Sequence, residues 1–171
     1  MGRELKYEYY PNKQDLQYVK VKNGATWETL LTISQYKLVS GQSVHLPEIL
    51  TDSSGLQSQC AYNDKGQITQ VTVSKGANSE TTKYIYDANL DGSADAYGYL
   101  IRVEHTSPSN PLAFVTLQNW TYDAAKRART LTNSQGYALT YDYDNLDRVT
   151  FVTHLTPPPS KSSTQMGRNR P

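Results

Sequence analysis

The chain has 171 residues and a formal net charge of +1, and it contains 14 tyrosines against only 33 Leu, Ile, Val and Phe residues together. The small net charge argues against a disordered polyelectrolyte. Residues 1–154 hold 14 bases against all 16 acids, with no basic stripe for nucleic acid. No apolar run approaches the roughly 18 residues of a membrane span, and the opening MGRELKYEYY lacks the apolar centre of a Sec-type signal peptide.

Tyrosine and threonine favour strands, so the expected class is all-β, with amphipathic faces rather than a compact aliphatic core. In chain order, one frame recurs. It has an aromatic two residues before a tyrosine, Asx one after it, a turn residue four after, and apolar residues six and nine after. A weak first copy at Tyr10 keeps Leu16 and Val19 but has Pro11 in the acid place and Gln14 at the turn. Residues 20 to 55, with Trp27, Tyr36 and LLTI, suggest strands without a clear register. Tyr62 brings Cys60, Asn63, Gly66, Ile68 and Val71. Tyr86 brings Tyr84 and Asp87, then eight extra residues before Gly98, Leu100 and Val103. Tyr122 brings Trp120, Asp123, Lys126, Ala128 and Leu131, and Tyr143 brings Tyr141, Asp144, Asp147, Val149 and Val152.

Each unit reads as a β-hairpin. Aromatics two apart share a strand face, Asx opens a turn through its own backbone, and Gly66 and Gly98 offer positive φ where the hairpin closes. The step of three between the apolar positions implies a bulge that curves the ribbon. A lone hairpin is marginal in water, so units must stack side by side, giving a curved, open sheet of consecutive antiparallel hairpins.

The copies YNDKGQI, YIYD…GYLIRV, WTYDAAKRARTL and YDYDNLDRVTFV resemble the YD repeat of RHS (rearrangement hotspot) proteins, Tyr-x-Tyr-Asp-x-x-Gly-Arg-Leu. LPEILTDSSGLQSQCAY and RTLTNSQGYALTYDY are similar to the polar turn that leads into such a repeat. Glycine is replaced in two copies, arginine survives as Arg127 and Arg148, and Cys60 stands in an aromatic place. The resemblance divides the chain into a degenerate repeat region at 1–55, a YD-repeat sheet at 56–154, and a Pro/Ser/basic tail at 155–171 expected to be disordered.

The resemblance implies part of a spiral β-shell, as in bacterial polymorphic toxins, toxin-complex C components and teneurins, where the shell encloses a C-terminal toxic or signalling domain. Expected partners are then a toxin or effector cargo or the rest of a parent shell, in a secreted or cell-surface setting. Neither an Asp-Pro-x-Gly-type core motif nor a toxin domain is present, and five units are too few to close a container. A fragment or truncated shell is the expectation.

The inserted DANLDGSADAYG places Asp87, Asn89, Asp91 and Asp95 at positions 1, 3, 5 and 9 of an EF-hand-like loop, with the Ser93 carbonyl at position 7. Calcium is the one cofactor this suggests. Against it, position 12 is Gly98 rather than Glu and strands flank the loop, which leaves an acidic, flexible hairpin tip as the other reading. His45, His105 and His154 lack zinc-ligand spacing, no nucleophile elbow or phosphate loop occurs, and Cys60 reads as a packed wall thiol. KRAR at 126–129 reads as a solvated hairpin edge, and Asn119-Trp120-Thr121 is a formal glycosylation sequon. These points favour a non-enzymatic structural segment. A carbohydrate- or protein-binding module using exposed tyrosines is the alternative, and the bare edges of an open sheet favour self-association.

Overall fold

The computed structural model describes residues 3–92, 94–107 and 110–156, the side chain of Pro111 excepted. Most of the expected tail, residues 157–171, lies outside the described residues. Twelve strands form one antiparallel sheet in chain order: β1 (Leu5–Tyr9), β2 (Leu16–Asn23), β3 (Thr26–Val39), β4 (Gln42–Asp52), β5 (Gln57–Tyr62), β6 (Ile68–Lys75), β7 (Asn78–Asp87), β8 (Tyr99–Ser107), β9 (Asn110–Tyr122), β10 (Ala128–Asn133), β11 (Ala138–Tyr143) and β12 (Val149–Leu155). β1 and β12 are not paired with each other, so the sheet is open.

The strands group into six hairpins, one more than the sequence frame counts. In five of them a tyrosine of the first strand pairs, on the turn side of a register shift, with a residue of the second: Tyr36 with Pro47, Tyr62 with Ile68, Tyr86 with Leu100, Tyr122 with Ala128 and Tyr143 with Val149. Tyr36 therefore heads a unit of its own. Its hairpin is five residues longer than that of Tyr62, and the extra length hides the spacing. In the first hairpin Tyr9, rather than Tyr10, faces Leu16, and the loop is one residue longer than in the Tyr62 unit.

Each hairpin carries a register shift just past this pair. The strand that leaves the turn holds one extra residue: Gln17, Glu48, Thr69, Ile101, Arg129 or Thr150. This is the bulge implied by the three-residue step, repeated at the same end of all six hairpins, where each copy adds local twist.

Asx chemistry closes both ends of the sheet. Asn63, Asp123 and Asp144 accept backbone amides from two to four residues onward, and Asp52 and Asn133 do the same at the opposite end. The turn position is left-handed at Gly66, Lys126 and Asp147. Lys126 and Asp147 adopt it without glycine because their turns are also held by the Asx carboxylate.

Burial is thin. Among the described residues only Ile33, Tyr86 and Val103 are buried apolar side chains, and no helix or second sheet covers either face. A sheet of this kind obtains its order from its seams and turns more than from a core.

Gly98 serves differently from Gly66. The frame gives both a turn duty, yet Gly98 lies beside the backbone of Asp87 and Ala88, where an added Cβ would sit 2.5 Å from Ala88 backbone atoms. At Gly66 an added Cβ would meet only the Leu46 side chain, at 3.6 Å. Gly98→Ala should therefore destabilise by well over about 1 kcal/mol, and Gly66→Ala by nearer that figure, measured as shifts in a urea unfolding midpoint. Equal effects would contradict the close approach.

Candidate structural site: the seams between hairpins

The repeated element with defined geometry is the seam where one hairpin meets the next. At every seam the outgoing and incoming strands stop pairing short of the bulge. The last pairs are Tyr18 with Thr32, Ile49 with Gln59, Gln70 with Lys83, Arg102 with Asn119 and Thr130 with Thr140. Two residues nearer the turn, the carbonyl of the bulge-opening residue has lost its ladder partner. A tyrosine hydroxyl from the following hairpin takes that place. Tyr36 donates to the Leu16 carbonyl at 2.8 Å and Tyr62 to Pro47 at 2.7 Å. Tyr86 donates to Ile68 at 2.7 Å, Tyr122 to Leu100 at 2.8 Å and Tyr143 to Ala128 at 2.7 Å. All five seams have the bond, and it explains why the frame needs tyrosine and not phenylalanine at this position.

Tyr10 differs. Its hydroxyl reaches forward to the Ile33 carbonyl at 2.8 Å and its ring meets Tyr36 edge-on at 6.1 Å. The residue preceding each bulge carbonyl supplies a second link across the seam. Asp15 is only 4% exposed, and its carboxylate lies 2.6 Å from the His45 ring. Leu46 rests on the Asn63–Gly66 turn. Gln67 donates to the Gly98 carbonyl and accepts from its amide, imitating a ladder pair, while Asn63 donates to the Ala96 carbonyl. Tyr99 packs on Tyr122 with centroids 5.2 Å apart and lies under Lys126. Arg127 lies over the Tyr143 ring and donates to the Asp144 carbonyl and the Asp147 carboxylate.

Arg127 and Arg129, from the KRAR run, are thus tied within the sheet, Arg129 by donating to the Tyr141 carbonyl and the Asp142 carboxylate. The run is still partly solvated, as expected, with Lys126 exposed and the Arg129 side chain 43% exposed. Arg148 pairs with Asp144 of its own turn. Tyr84, Trp120 and Tyr141 lie half-buried within β7, β9 and β11, two residues before the seam tyrosines. Cys60 is half-buried beside Tyr62 in a shallow pocket of about 330 Å³ that also takes in Gln35, Glu48 and Gln70.

Electrostatics follows these roles. Burial raises the phenols of Tyr86, Tyr36 and Tyr122, with nearby Asp15 adding to the effect at Tyr36. Burial together with Cys60 pushes Tyr62 up to about 12. The Arg127 amide holds the Asp123 carboxyl below its ordinary value, as the Arg148 side chain does for Asp144.

The inserted loop is organised by Asp87, which is 1% exposed. Its two oxygens accept from the amides of Asn89, Leu90 and Gly92, and Asp95 accepts from the Ala88 amide. Two of the four candidate calcium ligands thus spend oxygens on backbone amides, and Ser93 lies outside the described residues. Among the described residues no group of three or more acidic, histidine or cysteine side chains is arranged to hold a metal ion.

No protein-family model and no curated protein matches the sequence. Among solved structures, the crystal structure of TcdB2-TccC3-TEV aligns at 12% identity with a TM-score of 0.32, covering 86% of this chain. The chain spans only about an eighth of the length of that neighbour, 12% of it. Among the described residues no helix is long and apolar enough to cross a membrane.

Two measurements test the seams. Tyr86→Phe should cost about 1–2 kcal/mol by leaving the Ile68 carbonyl without its donor. Tyr84→Phe, which removes no such bond, should cost under about 0.5 kcal/mol. A phenol raised in the folded state contributes stability that is complete below its unfolded value, near 10, and is lost as pH climbs through the folded value, about 12 for Tyr62. Tyrosinate absorbance should therefore show Tyr36, Tyr62, Tyr86 and Tyr122 ionising last, together with loss of the sheet signal in circular dichroism. Ionisation of all 14 tyrosines as one class, with the sheet intact, is the opposing result.

Proposed function

We propose that the chain is a non-enzymatic length of β-wall which, within a larger secreted or cell-surface protein, belongs to an RHS-type shell that encloses or chaperones a toxin or effector domain. The observation that carries this reading is the hydroxyl-to-carbonyl bond present at five of five seams. A protein whose recurrent tyrosine and bridging side chains join one hairpin to the next, while its Asx residues hold each turn, is built to extend a surface.

The thin burial supports the same reading. One uncovered layer gains little hydrophobic stabilisation for its size, whereas the same layer within a closed wall would bury one face against its contents.

The test is protease protection of the parent gene product. The expected outcome is a C-terminal domain that survives digestion with the wall intact and becomes sensitive when Tyr86→Phe and Tyr122→Phe together loosen the seams. A C-terminal domain digested at the same rate in both proteins would remove the proposal. Glycan-array binding by the isolated chain, lost with Tyr97→Ala and Tyr137→Ala, would replace it with the binding-module reading.

A further inference from the structure

The two outer strands are complementary in the terms that join the inner ones. At the β12 edge the seam is half built. Val149 stands in the register of Leu16, Pro47, Ile68, Leu100 and Ala128, opposite Tyr143 and beside a bulge, but among the described residues no following strand delivers a hydroxyl. The residue before it, Arg148, corresponds to Arg127. It is 72% exposed, and the partner it holds is Asp144 of its own turn. Phe151, at 63% exposed, and Val152 and Leu155 add an apolar strip along this edge.

The β1 edge presents the missing half. Tyr9 faces Leu16 as the seam tyrosines face their own bulge openers. It is 53% exposed, and its hydroxyl has no hydrogen-bond partner among the described residues. Leu5 and Tyr7 on the same strand are also exposed.

The geometry points to a second copy of this chain as the occupant of the β12 edge, with β1 of one copy laid antiparallel on β12 of the other. Applying the register of the inner seams, Phe151 meets Lys6 and Val152 meets Leu5. The Tyr9 hydroxyl then donates to the Val149 carbonyl, and Arg148 donates to the Tyr10 carbonyl, as Arg127 does to that of Asp144. The junction uses different surfaces on the two copies, so it leaves a free β1 and a free β12 at the ends of every assembly and adds copies without closing. One feature opposes tight association. Lys13, with left-handed φ, lies in the turn that Arg148 meets, where the inner seam offers the Asp147 carboxylate to Arg127. This inference rests on seam geometry and holds whether or not the wall encloses a cargo.

Sedimentation velocity on the full chain over a wide concentration range provides the test. The expected result is a mass distribution that rises with concentration through successive multiples of the chain. Tyr9→Phe and Arg148→Ala should each raise the midpoint concentration about fivefold, the equivalent of one net hydrogen bond. Lys13→Asp should lower it by a similar factor by restoring a carboxylate to the junction. Tyr9 is exposed and unbonded, so Tyr9→Phe tests the junction without disturbing the fold. A monomer at all concentrations overturns the inference, as does a closed dimer of fixed mass. Association indifferent to both Tyr9→Phe and Lys13→Asp overturns the register and with it the proposal.

Discussion

One hydrogen bond organises this protein: a tyrosine hydroxyl given to a backbone carbonyl that a β-bulge has deprived of its ladder partner. Every other recurrent feature is either a cause of that vacancy or a response to it. The bulge adds a residue to the strand leaving each turn, which bends that strand and ends its pairing with the next hairpin two residues early. A buried carbonyl without a donor costs about 1–3 kcal/mol. Phenylalanine would fill the space and leave that cost in place, while tyrosine fills the space and removes the cost. At Tyr36, Tyr62, Tyr86 and Tyr122 burial then raises the phenol, so those donors keep their protons further into alkaline conditions.

The turn chemistry serves the same bond. The Asx residue directly after each of Tyr62, Tyr86, Tyr122 and Tyr143 draws the following amides onto its side chain. The tyrosine backbone is thereby held at a strand end, with its ring directed across the seam. In the eight-residue insertion one buried carboxylate, Asp87, gathers three amides. The acidic spacing that resembles a calcium loop thus has a local structural use for its first member, and Gly98 closes the loop because nothing larger fits against Ala88.

Much of this was legible in the sequence because tyrosine, Asx and the apolar pair at six and nine are fixed by backbone geometry, which varies little between copies. The all-β class, the hairpins at Tyr62, Tyr86, Tyr122 and Tyr143, and the bulge follow from those positions. What escaped was what the backbone does not fix. Tyr36 has Lys37 in place of Asx and a hairpin five residues longer, so no fixed spacing could find it, although its bond to the Leu16 carbonyl matches the others. Tyr9 and Tyr10 are adjacent, and one extra loop residue decides which of them takes the strand position. The link before each bulge carbonyl was invisible for a different reason. Asp15, Leu46, Gln67, Tyr99 and Arg127 use a hydrogen bond to an imidazole, an apolar contact, a paired amide, ring packing and a guanidinium clasp. Their position recurs and their chemistry does not, because each is matched to the one turn it touches.

That division of labour has an energetic consequence. The tyrosine bond is the same at every seam, so alone it would let any hairpin dock on any other and leave the order of units undefined. The link beside it is unlike at every seam, so a misplaced hairpin would set Arg127 against a turn without the Asp147 carboxylate or Gln67 against one without the Gly98 backbone, each a loss of a satisfied partner. Stability therefore comes from the part that repeats, and register comes from the part that does not. In a sheet with three buried apolar side chains among its described residues, no core is available to correct a slip. The seams must carry both tasks, and the contacts between hairpins are nearest-neighbour ones. The loss of one seam should then divide the sheet into two ordered pieces rather than melt it as a whole, as expected of a quasi-one-dimensional array.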